Sequence, residues 1–275
     1  MTKHIGLSLA IAFALVSFTP VQAQTTKPMN SVPRPTLNLR QQSKKPLIFK
    51  TPPPPPNIGA PSQRKAGGSR GCMDVNVQNT QFKEKVLTAL APEYSGSQLV
   101  LGSTTQVRPT FWFYVPYKSD STYAKLVLED ELNQTIYKTP LTQTPGVVSV
   151  SLPSTSSALK IGKRYHWYFN IYCKQDNQFL TSVEGDVQLL ALNPIVQNEL
   201  DKATPQQQVA LYAANGIWYE ALTTLANLRR TYPQDAKLVS DWASLLESVG
   251  LQNIAAEPIV DCCKPQDGIA TSNSK

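Results

Sequence analysis

Few side chains in this sequence of 275 residues are equipped for chemistry. One of its two histidines, His4, lies in the short basic start of the N-terminal leader, which leaves His166 as the one imidazole of the main body. A zinc site built on several histidines is therefore excluded, and a Ser-His-Asp triad would have to use His166. That residue stands between Tyr165 and Trp167 in an alternating run, so it faces away from both and reads as a surface histidine. No GxSxG elbow, phosphate loop or dinucleotide fingerprint is present. The acidic clusters are Glu129-Asp130-Glu131 and Glu184-x-Asp186. A glycosidase needs two carboxylates facing each other across a cleft. Neighbouring acids at a strand end read instead as solvated turns, with calcium binding the alternative. The expectation is a non-catalytic protein with no metal and no cofactor.

Two other residue sets carry more information. The cysteines number four, Cys72, Cys173, Cys262 and Cys263, and an even count in an exported chain favours disulfides. Cys173 shares the parity of Trp167, Phe169 and Ile171, so its side chain points inward, and a bridge to Cys72 would pin the start of the folded part. The alternative joins Cys72 to a tail cysteine and leaves Cys173 a buried thiol. Cys262 and Cys263 are adjacent, open to a vicinal pair, free thiols or a link to another chain. The second set is aromatic. If Phe111 and Phe113 face the core, Trp112 and Tyr114 face away, as do His166, Tyr168 and Tyr172 on a later strand. These five form the candidate binding surface, able to stack on sugars or to receive a protein, unless the C-terminal helices cover it.

The elements that must position these residues fall into five segments. Residues 1–23 have a basic start, an apolar run over Ile5–Phe18 and Ala23 at a cleavage position, the layout of a secretory signal peptide. Residues 24–71 carry nine Lys or Arg, no acid and the run Pro52–Pro56, and predict a disordered basic arm. From Cys72 onward 16 Lys and Arg face 19 acids, so the folded part is mildly acidic and nucleic-acid binding loses support. Residues 72–192 alternate with period two, at 106–117, 123–131, 135–141, 147–152, 163–174 and 182–192, and predict an antiparallel β-sandwich. Residues 193–258 switch to helical period, with Thr204-Pro205 opening a helix. Residues 259–275 read as a flexible tail. The fold class is α+β, strands first and then a small helical hairpin unit.

Local patterns resemble known families. Leu159, Gly162 and Tyr165 have the spacing of a tyrosine corner, which resembles fibronectin-type and other immunoglobulin-like domains. A self-match at an offset of about 34 residues aligns Tyr212 with Leu246, Gly216 with Gly250 and Ala221 with Ala255, and resembles a tetratricopeptide repeat. At larger scale, Arg108–Tyr117 (RPTFWFYVPY), Gly162–Phe169 (GKRYHWYF), Asn215–Ala226 (NGIWYEALTTLA) and Asp241–Leu246 resemble a bacterial, mainly cyanobacterial, exported family known as a domain of unknown function. The resemblance implies export and the two-part layout, and brings no catalytic residues. The resulting expectation is a secreted or periplasmic binding or scaffold protein, not membrane-spanning, with an envelope protein or polysaccharide as partner. A carbohydrate-binding module is the alternative, and a hydrolase, which would need His166 or the acidic residues to gather in a pocket, a remote one. N-terminal sequencing of the mature protein should find Gln24 first; an intact Met1 on a membrane-bound species would refute export by cleavage.

Overall fold

In the computed structural model, residues 46–56, 61–67, 72, 85–129, 133–263 and 271–274 are described. The expected signal peptide and the arm up to residue 45 lie outside them. The strands are β1 (Thr88–Ala89), β2 (Glu93–Tyr94), β3 (Leu99–Thr104), β4 (Thr110–Val115), β5 (Thr122–Glu129), β6 (Asn133–Pro140), β7 (Gly146–Ser151), β8 (Arg164–Cys173), β9 (Phe179–Leu189) and β10 (Thr271–Ser274). Between β9 and β10 lie the helices α1 (Pro194–Lys202), α2 (Pro205–Ala214), α3 (Trp218–Thr231) and α4 (Ala236–Glu247). Sheets followed by helices make the chain α+β, and none of the described helices is long and apolar enough to cross a membrane.

Alternation in sequence becomes alternation in burial. Along β8, Tyr165, Trp167, Phe169, Ile171 and Cys173 are buried while His166, Tyr168, Asn170 and Tyr172 are half-exposed. The strands form two sheets, one in the order β1-β4-β7 and one in the order β10-β6-β5-β8-β9-β3-β2. Phe113 of β4 stacks on Phe169 of β8 with centroids 3.8 Å apart, and Trp167 meets Phe111 and Phe113, so the two sheets face each other over an aromatic core. Where β8 begins, the Tyr165 hydroxyl accepts from the Lys160 N–H at 3.1 Å, across a loop in which Gly162 has a φ of 78°. One pairing departs from the antiparallel expectation: β3 runs parallel to β9. All six residues of β3 are buried, so it has no polar face and no alternation for sequence reading to find.

The helical unit exceeds a hairpin. Thr204 caps α2 reciprocally with Gln207, and Asp235 caps α4. Gly216 and Gly250 end α2 and α4 with φ of 70° and 75°. After each, the chain makes the same return bond, Ile217 to the Tyr212 carbonyl and Leu251 to the Leu246 carbonyl, both at 2.9 Å. A single 3-10 turn, Gln252–Ile254, stands where a second repeat would place its second helix.

The described stretches of the expected arm and tail pair with the folded body, and the rest of both lies outside the described residues. Within the arm, Phe49 is buried, lies edge-on to Trp218 with centroids 4.9 Å apart, and its N–H bonds the Ser248 hydroxyl at 3.1 Å. Lys50 bonds the Ala213 carbonyl, and residues 64–66 pair beside β1. Arg64 is the hub of this segment. Its guanidinium meets Glu93 at 2.9 Å and donates to the Val249 carbonyl at 2.6 Å and that of Ala91 at 3.4 Å. The arm composition was misleading because its backbone borrows partners from the folded body rather than making a core of its own. In the tail, Val260 bonds Val147, and β10 pairs with β6. Cys262 and Cys263 are bonded to each other and buried. Cys72 is bonded to Cys173, with their Cα atoms 5.5 Å apart. Replacing Arg64 by Ala strands the Val249 and Ala91 carbonyls, and urea unfolding should show a loss of about 2–3 kcal/mol.

Candidate functional site

The five candidate surface residues do not form one patch. Trp112 and Tyr114 lie on β4 and His166, Tyr168 and Tyr172 on β8, in different sheets. Because Phe113 and Phe169 meet between the sheets, the residues of opposite parity on the two strands point away from each other. Sequence parity shows which residues share a face of one strand but not which strands share a sheet.

Helices seal the β4 side. The Trp112 indole donates to the Thr223 hydroxyl at 2.9 Å, and the Arg230 guanidinium lies over its ring at 5.0 Å. Arg230 also reaches the Ser149 hydroxyl and the Val260 carbonyl. Tyr114 is buried, and burial, reinforced by Glu257, pushes its hydroxyl pKa up to about 12. Deeper in, Tyr219 packs on Phe111, and a Cβ on Gly102 would come within 2.5 Å of the Tyr219 ring, so glycine is required there. The Glu220 carboxylate accepts from the Thr104 hydroxyl at 2.5 Å and the Thr105 N–H at 3.2 Å. Burial nevertheless raises its pKa. These groups join helix to sheet and have no access to a ligand.

The outward face of the seven-stranded sheet is different. At one end, Tyr123 of β5 stacks on Tyr172 of β8 with centroids 5.3 Å apart, and the Tyr123 hydroxyl donates to the Asn177 side chain at 3.2 Å. Phe179, 58% exposed, lies edge-on to Tyr172. The Lys125 ammonium lies 4.3 Å from the Tyr172 ring centre, and that of Lys138 lies 4.3 Å from the Tyr123 ring. At the other end, His166 Nδ1 lies 3.0 Å from Asp186 and Nε2 lies 3.4 Å from Glu184, both on β9. Burial pulls the His166 pKa down, but hydrogen bonds and charge from Asp186 and then Glu184 outweigh it, and the net shift is upward.

Sequence reading singled out His166, Tyr168 and Tyr172 here and noted Glu184 and Asp186 as an acidic cluster. It took that pair for a turn, whereas both stand within β9, opposite Tyr168 and His166. It missed Tyr123, Lys125, Lys138 and Phe179. The parity of Tyr123 and Lys125 was available, but their partners depend on a register that sequence does not print. Among the described residues, no group of three or more His, Cys, Asp or Glu is placed to hold a metal ion. A cavity of about 500 Å³ bordered by Arg64, Glu93, Tyr94 and Ser248 lies elsewhere, and Arg64 and Glu93 are already paired there.

The raised His166 pKa has a consequence for stability. The imidazolium–carboxylate attraction is fully present below the unfolded value of about 6.5 and is lost as pH rises through the higher folded value. Asp186→Asn should therefore lower the melting temperature more at pH 5.5 than at pH 8.5, and NMR titration should show the His166 pKa falling.

A family model described as a Domain of Unknown Function (DUF928) matches residues 65–259. No curated protein matches the chain.

Proposed function

Since the chain belongs to the DUF928 family, whose description assigns no activity, we propose from its own surfaces that it is an exported, non-catalytic binding or scaffold protein of the cell envelope. It engages its partner through the outward face of the seven-stranded sheet. One observation carries the reading: helices seal the outer side of the three-stranded sheet at Trp112, while Tyr168 and Tyr172 of β8 stay half-exposed and Phe179 of β9 is exposed on the outward face of the seven-stranded sheet. Exposed aromatic surface that a fold does not use internally marks an interaction site. The signal-like leader and the bonded cysteines support export. The two facing sheets are best read as an immunoglobulin-like sandwich, a reading supported by the Tyr165 hydroxyl bond to Lys160. The paired glycine turns at Gly216 and Gly250 support a tetratricopeptide-like origin for the helices.

A carbohydrate partner is favoured over a protein partner by the form of the face. Tyr172 and Phe179 present aromatic rings beside polar Asn170 and Lys125, an arrangement suited to stacking a sugar ring while bonding its hydroxyls. The helical unit serves as the brace that keeps the sandwich rigid. The test is retention of the mature chain on purified envelope polysaccharide. Tyr172→Ala with Phe179→Ala should weaken retention at least tenfold with the melting temperature nearly unchanged, whereas Leu211→Ala on α2 should leave retention intact. Equal retention of all three proteins would refute the assignment of this face.

A further inference from the structure

We infer that the basic end of this face is a subsite for the carboxylate groups of an acidic, uronate-bearing polysaccharide; this deepens the proposed function and rests on it. Lys125 and Lys138 are direct partners in the β5–β6 register, so two positive charges stand opposite each other on the same face. Like charges in that relation destabilise a sheet. Among the described residues neither lysine has an acidic partner. Each ammonium instead lies over a tyrosine ring, and the two rings stack on each other. The lysines are thus held in place while their charge stays uncompensated, as an anion site requires.

The acids of the same face do not cancel this charge. Glu129 pairs with His166 across the strands, and it stands four positions along β5 from Lys125, a span of about 13 Å. That exceeds the screening distance of about 8 Å at physiological salt. The face is therefore dipolar along its strands, basic at Lys125 and Lys138 and acidic at Glu184 and Asp186. Phe179 and Tyr172 border the basic end, so a ligand there needs a ring to stack as well as an anion. A uronate supplies both within one residue. A lipid surface would need protruding apolar side chains, and among the described residues Phe179 is the one large exposed apolar residue bordering this cluster. An acidic peptide supplies charge without a ring at each repeat.

The probes are polygalacturonate, a neutral glucan and poly-glutamate, each tested by affinity electrophoresis with the full mature chain. Polygalacturonate should retard the protein, with affinity falling as salt rises; the neutral glucan and poly-glutamate should bind at least tenfold more weakly. Lys125→Gln with Lys138→Gln should weaken polygalacturonate binding at least tenfold and flatten its salt dependence. Phe179→Ala should weaken it while leaving the salt dependence unchanged. Lys138→Glu should abolish binding yet raise the melting temperature, because it converts a like-charge pair into an ion pair, and this separates loss of binding from loss of folding. Undiminished binding by the Lys125/Lys138 double variant, or equal binding of poly-glutamate, overturns the inference. If the wild type fails on polygalacturonate but is retained on whole envelope polysaccharide through Tyr172 and Phe179, this inference fails while the proposed function stands. Failure of both retentions sinks the two together.

Discussion

A strand that is apolar on both faces can stay in a folded protein only between two other layers, and β4 is such a strand. Phe111 and Phe113 go into the space between the sheets, and Trp112 and Tyr114, on the reverse side, are just as dry. Fully burying each of these aromatics contributes about 2–3 kcal/mol, so leaving Trp112 and Tyr114 in water would forgo a large part of the net stability of a domain. The helices meet that demand. α3 lays Thr223 and Arg230 over Trp112 and inserts Tyr219 against Phe111, and the stretch after α4 bonds along β7. A helical unit with so few turns has little core of its own, so each part completes the burial of the other. Trp218 shows the reciprocity, since its ring is buried among helices and arm while its indole N–H donates to the Leu90 carbonyl beside the sheet.

What sequence could reveal followed from what periodicity encodes. A strand with one wet face, β8 above all, stood out because alternation is a direct image of a half-buried surface. The start of α2 was visible because capping chemistry is local, and so was the turn at Gly216, whose φ a residue with a Cβ resists. The failures share a cause of the opposite kind. β3 is buried on both faces and shows no period. The stretch holding Phe49 and Arg64 looked unfoldable because the partners that anchor it lie outside it, several of them far along the chain in Ala213, Ser248 and Val249.

The candidate site was half legible for the same reason. Parity placed Tyr168 and Tyr172 on an outward face correctly, and parity also led Trp112 and Tyr114 to be grouped with them. Which strands become neighbours is settled by tertiary contacts such as the Phe113–Phe169 stack, and no single strand carries that information. The lysine pair is the sharpest instance. Lys125 and Lys138 are unremarkable as separate residues and become a charged locus only once β5 and β6 pair in their particular register.

The packing of Phe49 bears on how the chain comes to be folded. Its N–H finds its acceptor on Ser248, 199 positions further on, and Lys50 finds its acceptor on Ala213. Ribosomes deliver the N-terminal end first, at about 5–20 residues per second. Residues 46–67 therefore emerge long before the helices that receive them, and for roughly ten seconds or more they have no native surface to join. The segment is also poorly able to misfold meanwhile, since its prolines lack amide donors and its lysines and arginines repel one another. A composition that looks like that of an idle spacer thus suits a strap that must wait, inert and extended, until the last helices arrive to be fastened.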